Sequence, residues 1–278
     1  MRGSRTQPAN YDDVAVREAV VPAGTQRSAV PVRIYQPVEG RDLGALVLFH
    51  GGGFIAGDLE TDDAVARDYC HELKIAVVSV DYRLAPEHPY PAALEDAYAA
   101  LCWVADNAAT LGVDPARIAV GGGSAGGGIA AGLALLARDR GGPDVCFQML
   151  LVPALLDERE PLSHATTGGR FDAAAARRMW EHYLGVDAAA RATATYAAPA
   201  QLVSDLGGLP PAYITVATND PLRDAGIRYA LRLLAAGNAV DLHLYAGSEH
   251  GFVSHGRATE AGARAFDDRI RILVGALS

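Results

Sequence analysis

The stretch RIAVGGGSAG occupies residues 117–126 and joins a short β-branched run to a group of glycines around one serine. An Ala- and Leu-rich pattern of helical period follows over Ala125–Arg138. Glycine lets a strand and a helix approach each other closely across a sharp turn. The order of strand, turn and helix therefore predicts that Ser124 lies exposed at the tip of such a turn, in the pattern G-x-S-x-G.

A Gly-rich phosphate-binding loop is the alternative interpretation of the same stretch. Such a loop needs G-K-[ST], or a G-x-G-x-x-G with an acidic residue for the ribose further on. Neither is well placed in this sequence. The pentapeptide alone also occurs by chance, so a catalytic interpretation depends on the rest of the chain.

Short apolar runs alternate with helical patterns along most of the chain. Predicted strands are Val30–Tyr35, Ala45–His50, Ile75–Val80, Arg117–Val120, Cys146–Val152, Ala212–Ala217 and Val240–Tyr245. Predicted helices are Thr61–Leu73, Pro91–Thr110, Ala125–Arg138, Leu222–Ala236 and Arg257–Leu277. The alternation predicts an α/β fold with a mostly parallel central sheet and helices on both faces. Ligands of such sheets bind beyond the carboxyl ends of the strands.

Composition and charge exclude several classes of protein. The chain has 278 residues, 50% of them hydrophobic, and a net charge of −9, which argues against a nucleic-acid-binding surface. No apolar run is long enough to span a membrane, and the N-terminus lacks the apolar core of a signal peptide. The three cysteines follow no disulfide or metal-binding spacing. We therefore expect a cytoplasmic protein that binds neither nucleic acid nor membrane.

A second glycine-rich motif, HGGGF at 50–54, follows the apolar run Ala45–Phe49. A flexible turn is the simple explanation, but a turn directly after a buried strand rarely needs three glycines. Bare backbone N–H groups at such a place can stabilise the oxyanion of an acyl-transfer reaction. The motif is of the kind that accompanies the serine turn in esterases, and the two motifs together are far more specific than either alone.

A serine nucleophile needs a base, and we predict that His250 supplies it. His250 lies on the loop after the strand Val240–Tyr245, and the expected chain order is Ser, then Asp or Glu, then His. His255 competes for this role but lies further along the chain. His164 and His182 precede the candidate acids and break the order.

The base in turn needs an orienting acid, and Asp220 is the first candidate. It follows the strand Ala212–Ala217 and precedes a predicted helix, so a simple N-cap is its alternative role. Asp224 also competes, but it lies inside the predicted helix rather than at the strand end.

These motifs together resemble those of the hormone-sensitive-lipase-like (bacterial family IV) carboxylesterases of the α/β-hydrolase fold. The resemblance covers about Val30 to the C-terminus. The matching stretches appear in family order: HGGGF at 50–54, DYRLAPE at 81–87, Pro89, residues 91–96, the Ser124 turn, DPLRD at 220–224 and HGF at 250–252.

The resemblance implies an α/β-hydrolase fold and hydrolysis of esters without a metal or an organic cofactor. It also implies a catalytic triad and an oxyanion hole made of backbone N–H groups. The triad would be Ser124, Asp220 and His250, and the oxyanion hole would be Gly52, Gly53 and Ala125.

Two departures from the family pattern affect the site and its cover. Gly123 stands where the family turn usually has aspartate, and the N-terminal segment is short and polar. We therefore expect residues 1–29 to form a reduced part of the cap, and residues 30–278 to form the catalytic domain. A cap insertion at about 154–209 interrupts this domain and contains the helical pattern Phe171–Leu184, with an ordinary crossover helix as the alternative.

The expected function is that of a serine esterase acting on small short-chain acyl esters through an acyl-enzyme intermediate. Amides, lactones and thioesters would be cleaved by the same groups, so the sequence does not separate them. A non-catalytic small-molecule-binding protein of the same fold is the alternative from another class, and the presence of all three triad members argues against it. An apolar rim left by the reduced cap could be covered by a second subunit, so a homodimer is a further expectation.

Overall fold

The computed structural model describes residues 11–24, 28–155, 171–185, 194–197 and 205–278. Within these residues the strands are β1 (Val14–Val21), β2 (Val30–Pro37), β3 (Leu43–Phe49), β4 (Ala76–Val80), β5 (Val113–Gly123), β6 (Phe147–Leu151), β7 (Ala212–Asn219) and β8 (Val240–Glu249). They form one sheet in the order β1-β2-β4-β3-β5-β6-β7-β8. The β1–β2 and β2–β4 pairs are antiparallel, and the remaining pairs are parallel.

Helices cover both faces of the sheet. In the described part of the chain they are α1 (Asp63–Leu73), α2 (Ala92–Asp106), α3 (Ala108–Leu111), α4 (Ala125–Arg140), α5 (Ala173–Leu184), α6 (Arg223–Ala235), a 3₁₀ helix (Phe252–Ala258) and α7 (Glu260–Leu277). Buried side chains of α1 and α7 share one core with the sheet, whereas those of α2, α4 and α6 share the other. None of these helices is long and apolar enough to cross a membrane.

The parallel strands bring the candidate residues to one edge of the sheet. His50 follows β3, Ser124 follows β5, Asp220 follows β7 and His250 follows β8. Residues separated by up to 200 positions in the chain therefore meet at the carboxyl ends of adjacent strands, as the α/β pattern predicts.

The predicted α/β architecture with a mostly parallel sheet is confirmed, and each of the seven predicted strands corresponds to a strand of the sheet. Two helices differ in detail from the prediction. The pattern Pro91–Thr110 divides at Asn107 into α2 and α3. The pattern Arg257–Leu277 begins within the 3₁₀ helix, and α7 starts only at Glu260, where the Thr259 hydroxyl accepts a hydrogen bond from Gly262 and caps the helix.

The strand β1 corrects the prediction for the N-terminal segment. The sequence pattern predicts no strand before Val30, whereas Val14–Val21 pairs with β2 along its whole length. Only its two terminal valines are buried, because β1 is an edge strand, so its sequence lacks the apolar alternation by which a half-buried strand is predicted. The sheet therefore begins at Val14; residues 1–10 lie outside the described residues, and a cap role for the segment stays a prediction.

Candidate active site

Ser124 lies at the tip of a sharp turn between β5 and α4. Its backbone has φ 54° and ψ −115°, a conformation that a residue with a side chain adopts only where its surroundings hold it. Its N–H donates to the Leu151 carbonyl at 2.8 Å, and its own carbonyl accepts from Gly128 and Ala154 at 3.0 and 2.8 Å. These three bonds fix the turn, and the serine side chain is left to line a cavity at the edge of the sheet.

Two glycines of the turn are required by close packing, and a third is not. A Cβ on Gly122 would lie 2.3 Å from the Phe49 carbonyl oxygen, and one on Gly126 only 1.9 Å from the same atom. Both distances are far inside van der Waals contact, so only glycine fits. A Cβ on Gly123 would meet no atom within 4 Å, so open space lies beside Ser124 at this position.

Ser124, His250 and Asp220 form a continuous chain of hydrogen bonds. His250 Nδ1 lies 2.8 Å from Asp220 Oδ2, and His250 Nε2 lies 2.8 Å from Ser124 Oγ. An ionised carboxylate only accepts, so Nδ1 carries the ring proton and Nε2 is left to accept the serine proton. Asp220 is 1% exposed, and its other oxygen accepts from the Leu222 N–H at 2.8 Å. The carboxylate is thereby held in one orientation towards the histidine.

The loop after β3 presents unused backbone donors beside Ser124. Gly52 and Gly53 have φ of 114° and 63°, and a Cβ on Gly52 would lie 2.0 Å from the Ala56 carbonyl oxygen. Among the described residues, no acceptor bonds to the N–H of Gly52 or Gly53. Ala125 is the first residue of α4, where a helical N–H has no partner within the helix. Donors of this kind can meet an oxyanion formed next to the serine.

Buried side chains hold this loop in place. His50 is fully buried, its Nδ1 donates to the Gly51 carbonyl at 2.7 Å, and its ring stacks on Tyr82 at 4.2 Å. Burial lowers the pKa of His50, so its ring stays neutral. Tyr82 in turn donates to the His50 carbonyl at 2.8 Å.

The segment that carries Tyr82 is itself anchored by a buried ion pair. The Arg83 guanidinium donates to both oxygens of the fully buried Asp96, each at 2.8 Å, and the Arg83 backbone N–H donates to the same carboxylate at 3.0 Å. The hydrogen bonds to Asp96 raise the pKa of Arg83. The DYRLAPE motif therefore acts on the site indirectly, since it fixes the ring against which His50 stacks.

A cavity of about 750 Å³ opens over Ser124 and His250, and α5 forms part of its wall. Phe171, just before α5, stacks on the His250 ring with the two centroids 4.4 Å apart. The Met179 side chain lies 3.4 Å from the place of a Cβ on Gly53. Tyr183 stacks on Phe54 at 3.8 Å and docks the helix on the loop after β3.

Comparison with known proteins places this geometry in a family. The sequence model of a protein family described as alpha/beta hydrolase fold matches residues 46–254. Carboxylesterase NlhH of Mycobacterium tuberculosis is 42% identical in an alignment of 271 positions that covers 95% of this chain and 84% of that protein. The chain belongs to the hormone-sensitive-lipase-like carboxylesterases of the α/β-hydrolase fold.

Two solved structures of esterases are also similar to this chain. A bacterial heroin esterase has TM-score 0.88 and 37% identity, over 97% of this chain and 86% of that one. An esterase of Pyrobaculum calidifontis has TM-score 0.84 and 39% identity, over 94% and 85% of the two chains. The likeness therefore covers nearly all of this chain and 85–86% of the two esterases.

The structure brings the predicted site residues together, and of the two candidate acids it places one beside His250. Asp220, and not Asp224, contacts His250, while Asp224 pairs with Arg223 at 2.7 Å. Of the competing histidines, His182 lies on α5 and lines the cavity. His164 and the side chain of His255 lie outside the described residues.

Several residues that line the cavity belong to no sequence motif, and Asp62, Met179 and Arg269 are among them. A signal for one of them is nevertheless present in the sequence. Arg269 stands three residues after Phe266 and four before Leu273, on the face of α7 that the apolar period buries. An arginine at such a position is an exception to the pattern, and this exception marks it as a functional candidate.

Proposed function

We propose that the protein is a serine carboxylesterase whose catalytic triad is Ser124, His250 and Asp220. The observation that carries the proposal is the unbroken chain of hydrogen bonds from the serine hydroxyl to the buried carboxylate, with both links at 2.8 Å. The relatives named as carboxylesterases and esterases support the same chemistry.

In the proposed reaction Ser124 Oγ attacks the ester carbonyl while His250 Nε2 takes the serine proton. Asp220 holds the ring so that Nε2 faces the serine, and it stabilises the positive charge that forms on the ring. The protonated His250 then donates its proton to the leaving alcohol. Water activated by the same nitrogen attacks the acyl-enzyme and releases the acid.

The N–H groups of Gly52, Gly53 and Ala125 are the proposed oxyanion hole. Their support is that no acceptor in the described part of the chain bonds to the two glycines, and that Ala125 opens a helix. The loop is held by buried contacts of His50, so its donors need no rearrangement when charge develops. Removal of one such donor typically costs about 10²–10³-fold in kcat.

The proposed substrates are small esters with short acyl chains, from about acetyl to hexanoyl. The relatives named as carboxylesterases and esterases favour esters over amides, lactones and thioesters. The hydrogen bond between Ser124 and His250 argues against a non-catalytic binding role. The homodimer and the cytoplasmic location stay predictions. Sedimentation velocity of the purified chain checks the first of them.

Substitution of the nucleophile tests this proposal. Ser124→Ala removes the covalent route, so kcat/KM for p-nitrophenyl butanoate is expected to fall by about 10⁴–10⁶-fold. Ser254→Ala is the matched control, because Ser254 also lines the cavity but has no bond to His250. Its kcat/KM is expected to stay within a few-fold of the parent value. A Ser124→Ala protein that keeps more than a few per cent of the parent activity would refute the assignment.

A further inference from the structure

The catalytic cavity has a second polar region, away from the triad, where α1 begins. Asp62 lies at the N-cap position of α1 and lines the cavity. Aspartate at this position usually caps the helix through its side chain. Asp172 does so at α5, where it accepts from the Ala175 N–H at 2.8 Å. The Asp62 side chain makes no cap hydrogen bond, so its carboxylate is available to the cavity.

Arg269 of α7 lines the same region and is only 2% exposed. It donates to the carbonyls of Ala265 and Val253 at 3.1 and 3.3 Å and to the Tyr69 hydroxyl at 2.9 Å. These bonds use three of the five N–H groups of a guanidinium. No carboxylate of the described residues lies within salt-bridge distance of it. Arg269 is therefore a buried cation that lines the cavity, and two of its N–H groups have no acceptor among the described residues.

The absence of a side chain at Gly123 leaves open space between this polar region and the nucleophile Ser124. Side chains alternate along β5, and Ala119 and Gly121 face the core that also contains Tyr69. Gly123 therefore faces the same side of the sheet as α1 and α7. Because a Cβ at Gly123 would meet nothing within 4 Å, the space beside Ser124 stays open towards this side.

The two charges restrict what such a region can bind. Burial raises the pKa of Asp62 to about 6, and the nearby Arg269 guanidinium opposes that rise. The carboxylate is therefore ionised above about pH 6, without a hydrogen-bond donor among the described residues. A cationic group would be attracted by Asp62 and repelled by Arg269, and an anionic group the reverse, so neither charge is favoured by both side chains. A neutral group that both donates and accepts satisfies both side chains, and a hydroxyl is the simplest such group.

We propose that Asp62 and Arg269 form a polar subsite that binds a hydroxyl group carried by the ester substrate. The hydroxyl donates to the Asp62 carboxylate and accepts from a free N–H of Arg269. This inference rests on the proposed esterase function and names the substrate class within it: esters with a neutral hydroxyl in one half of the molecule.

Matched pairs of esters test the subsite, each differing only by a hydroxyl in place of a terminal methyl group. One pair places the hydroxyl in the acyl half: p-nitrophenyl ω-hydroxyhexanoate against the heptanoate. The other places it in the alcohol half: ω-hydroxybutyl butanoate against the pentyl ester. The measured quantity is the ratio of kcat/KM, hydroxyl over methyl, for each pair.

Asp62→Ala is expected to lower this ratio by roughly 10-fold or more for one pair, since only the hydroxyl ester loses a hydrogen bond to a charged group. The kcat/KM for the methyl ester is expected to stay within a few-fold of the parent value. Asp62→Asn keeps an acceptor without the charge, so its ratio is expected to be intermediate. Asp63→Ala is the matched control, because the neighbouring Asp63 bonds Arg67 and Tyr35 instead of lining the cavity.

The pH dependence of the ratio gives a readout that a structural role would not produce. Both esters of a pair depend equally on His250, so its protonation cancels in the ratio. The ratio in the parent protein is expected to fall as the pH drops through about 6, where Asp62 gains a proton. The other titratable or charged side chains that line the cavity are Asp68, Tyr69, Arg178, His182, His250 and Arg269.

The outcomes separate the subsite from the esterase function. Unchanged ratios for both pairs in Asp62→Ala, with the methyl esters still hydrolysed, would overturn the subsite and leave the esterase proposal intact. An equal fall in Asp63→Ala would also overturn the subsite. If the parent protein hydrolysed none of the four esters, the esterase proposal would fail and the subsite with it.

Discussion

The catalytic end of the cavity and its polar end are built in opposite ways. Around Ser124 the three triad side chains bond one another, and the backbone N–H groups of Gly52 and Gly53 have no acceptor among the described residues. Around Asp62 a carboxylate has no donor in the described part of the chain, and Arg269 uses only part of its donors. The first end fits a carbonyl, which every ester has, whereas the second fits a group that only some esters carry. Changes at the catalytic end should therefore lower the rate for all esters, and changes at the polar end should alter preference or stability.

After loss of the nucleophile itself, the largest effect is expected for the orienting acid. Asp220→Asn replaces the acceptor of the His250 Nδ1 proton and permits the wrong tautomer, so kcat is expected to fall on the order of 10³–10⁴-fold for every ester tested. Asp224→Asn is the control, because Asp224 pairs with Arg223 at 2.7 Å. Steady-state kinetics on both variants check this. Equal losses in the two would move the orienting role away from Asp220.

A smaller loss is expected from the oxyanion loop. Gly52→Ala places a Cβ 2.0 Å from the Ala56 carbonyl oxygen at a φ of 114°, so the loop must shift and misdirect its N–H groups. The expected loss is about 10²–10³-fold in kcat. Gly123→Ala is the matched control, since its Cβ meets nothing within 4 Å. Kinetics should be paired with circular dichroism to show that both variants fold. A Gly52→Ala enzyme as active as Gly123→Ala would argue against this oxyanion hole.

The change in kcat/KM with the length of the acyl chain should be smaller than the effects of these two substitutions. The sequence predicts a reduced cap, and under such a cap each added methylene would gain less than the ~0.8 kcal/mol of full burial, or less than about 4-fold per step. We expect kcat/KM to level off by about the hexanoyl ester in a series of p-nitrophenyl esters. A steady rise through decanoyl would mean that the cavity under α5 is closed along its whole length.

The smallest predicted effect is a pH-dependent change in thermal stability caused by Asp62, at the polar end of the cavity. The pKa of Asp62 is raised by burial from 3.8 to about 6, so the folded protein holds this proton more tightly than the unfolded chain. Stability is therefore lost as the pH rises from about 4 to about 6. Asp62→Asn avoids this loss, so its Tm should exceed that of the parent by roughly 2–5 °C at about pH 8 and match it near pH 4. Differential scanning calorimetry at both pH values checks this, and a lower Tm at pH 8 would contradict it.

The two ends also differ in how far the sequence predicts them. The Ser124 turn, the HGGGF loop and Asp220 each follow a buried apolar run, and His250 follows the half-exposed edge strand β8. The parallel sheet brings such strand ends together. Asp62 and Arg269 are 207 positions apart in the chain and follow no motif. Their meeting depends on how α1 and α7 pack side by side, which local periodicity does not specify.

The same limit explains why the edge strand was not predicted. The central strands are apolar at successive positions because helices cover both of their faces, and such runs stand out in a sequence. Val16 and Val20 of β1 are 36% and 57% exposed, with charged residues between them, so nothing local separates this segment from a polar loop. Its conformation is set by the pairing with β2, a contact between distant backbone groups.

The central claim is that Ser124 is the nucleophile of this cavity, and a covalent label tests it most directly. The purified protein is treated with a fluorophosphonate, and the modified residue is located by intact-mass and peptide mass spectrometry. We expect a single adduct per chain, on Ser124, with loss of esterase activity in proportion to labelling and no adduct in Ser124→Ala. An adduct on another residue that accompanies the loss of activity, or full activity without reaction at Ser124, would contradict it.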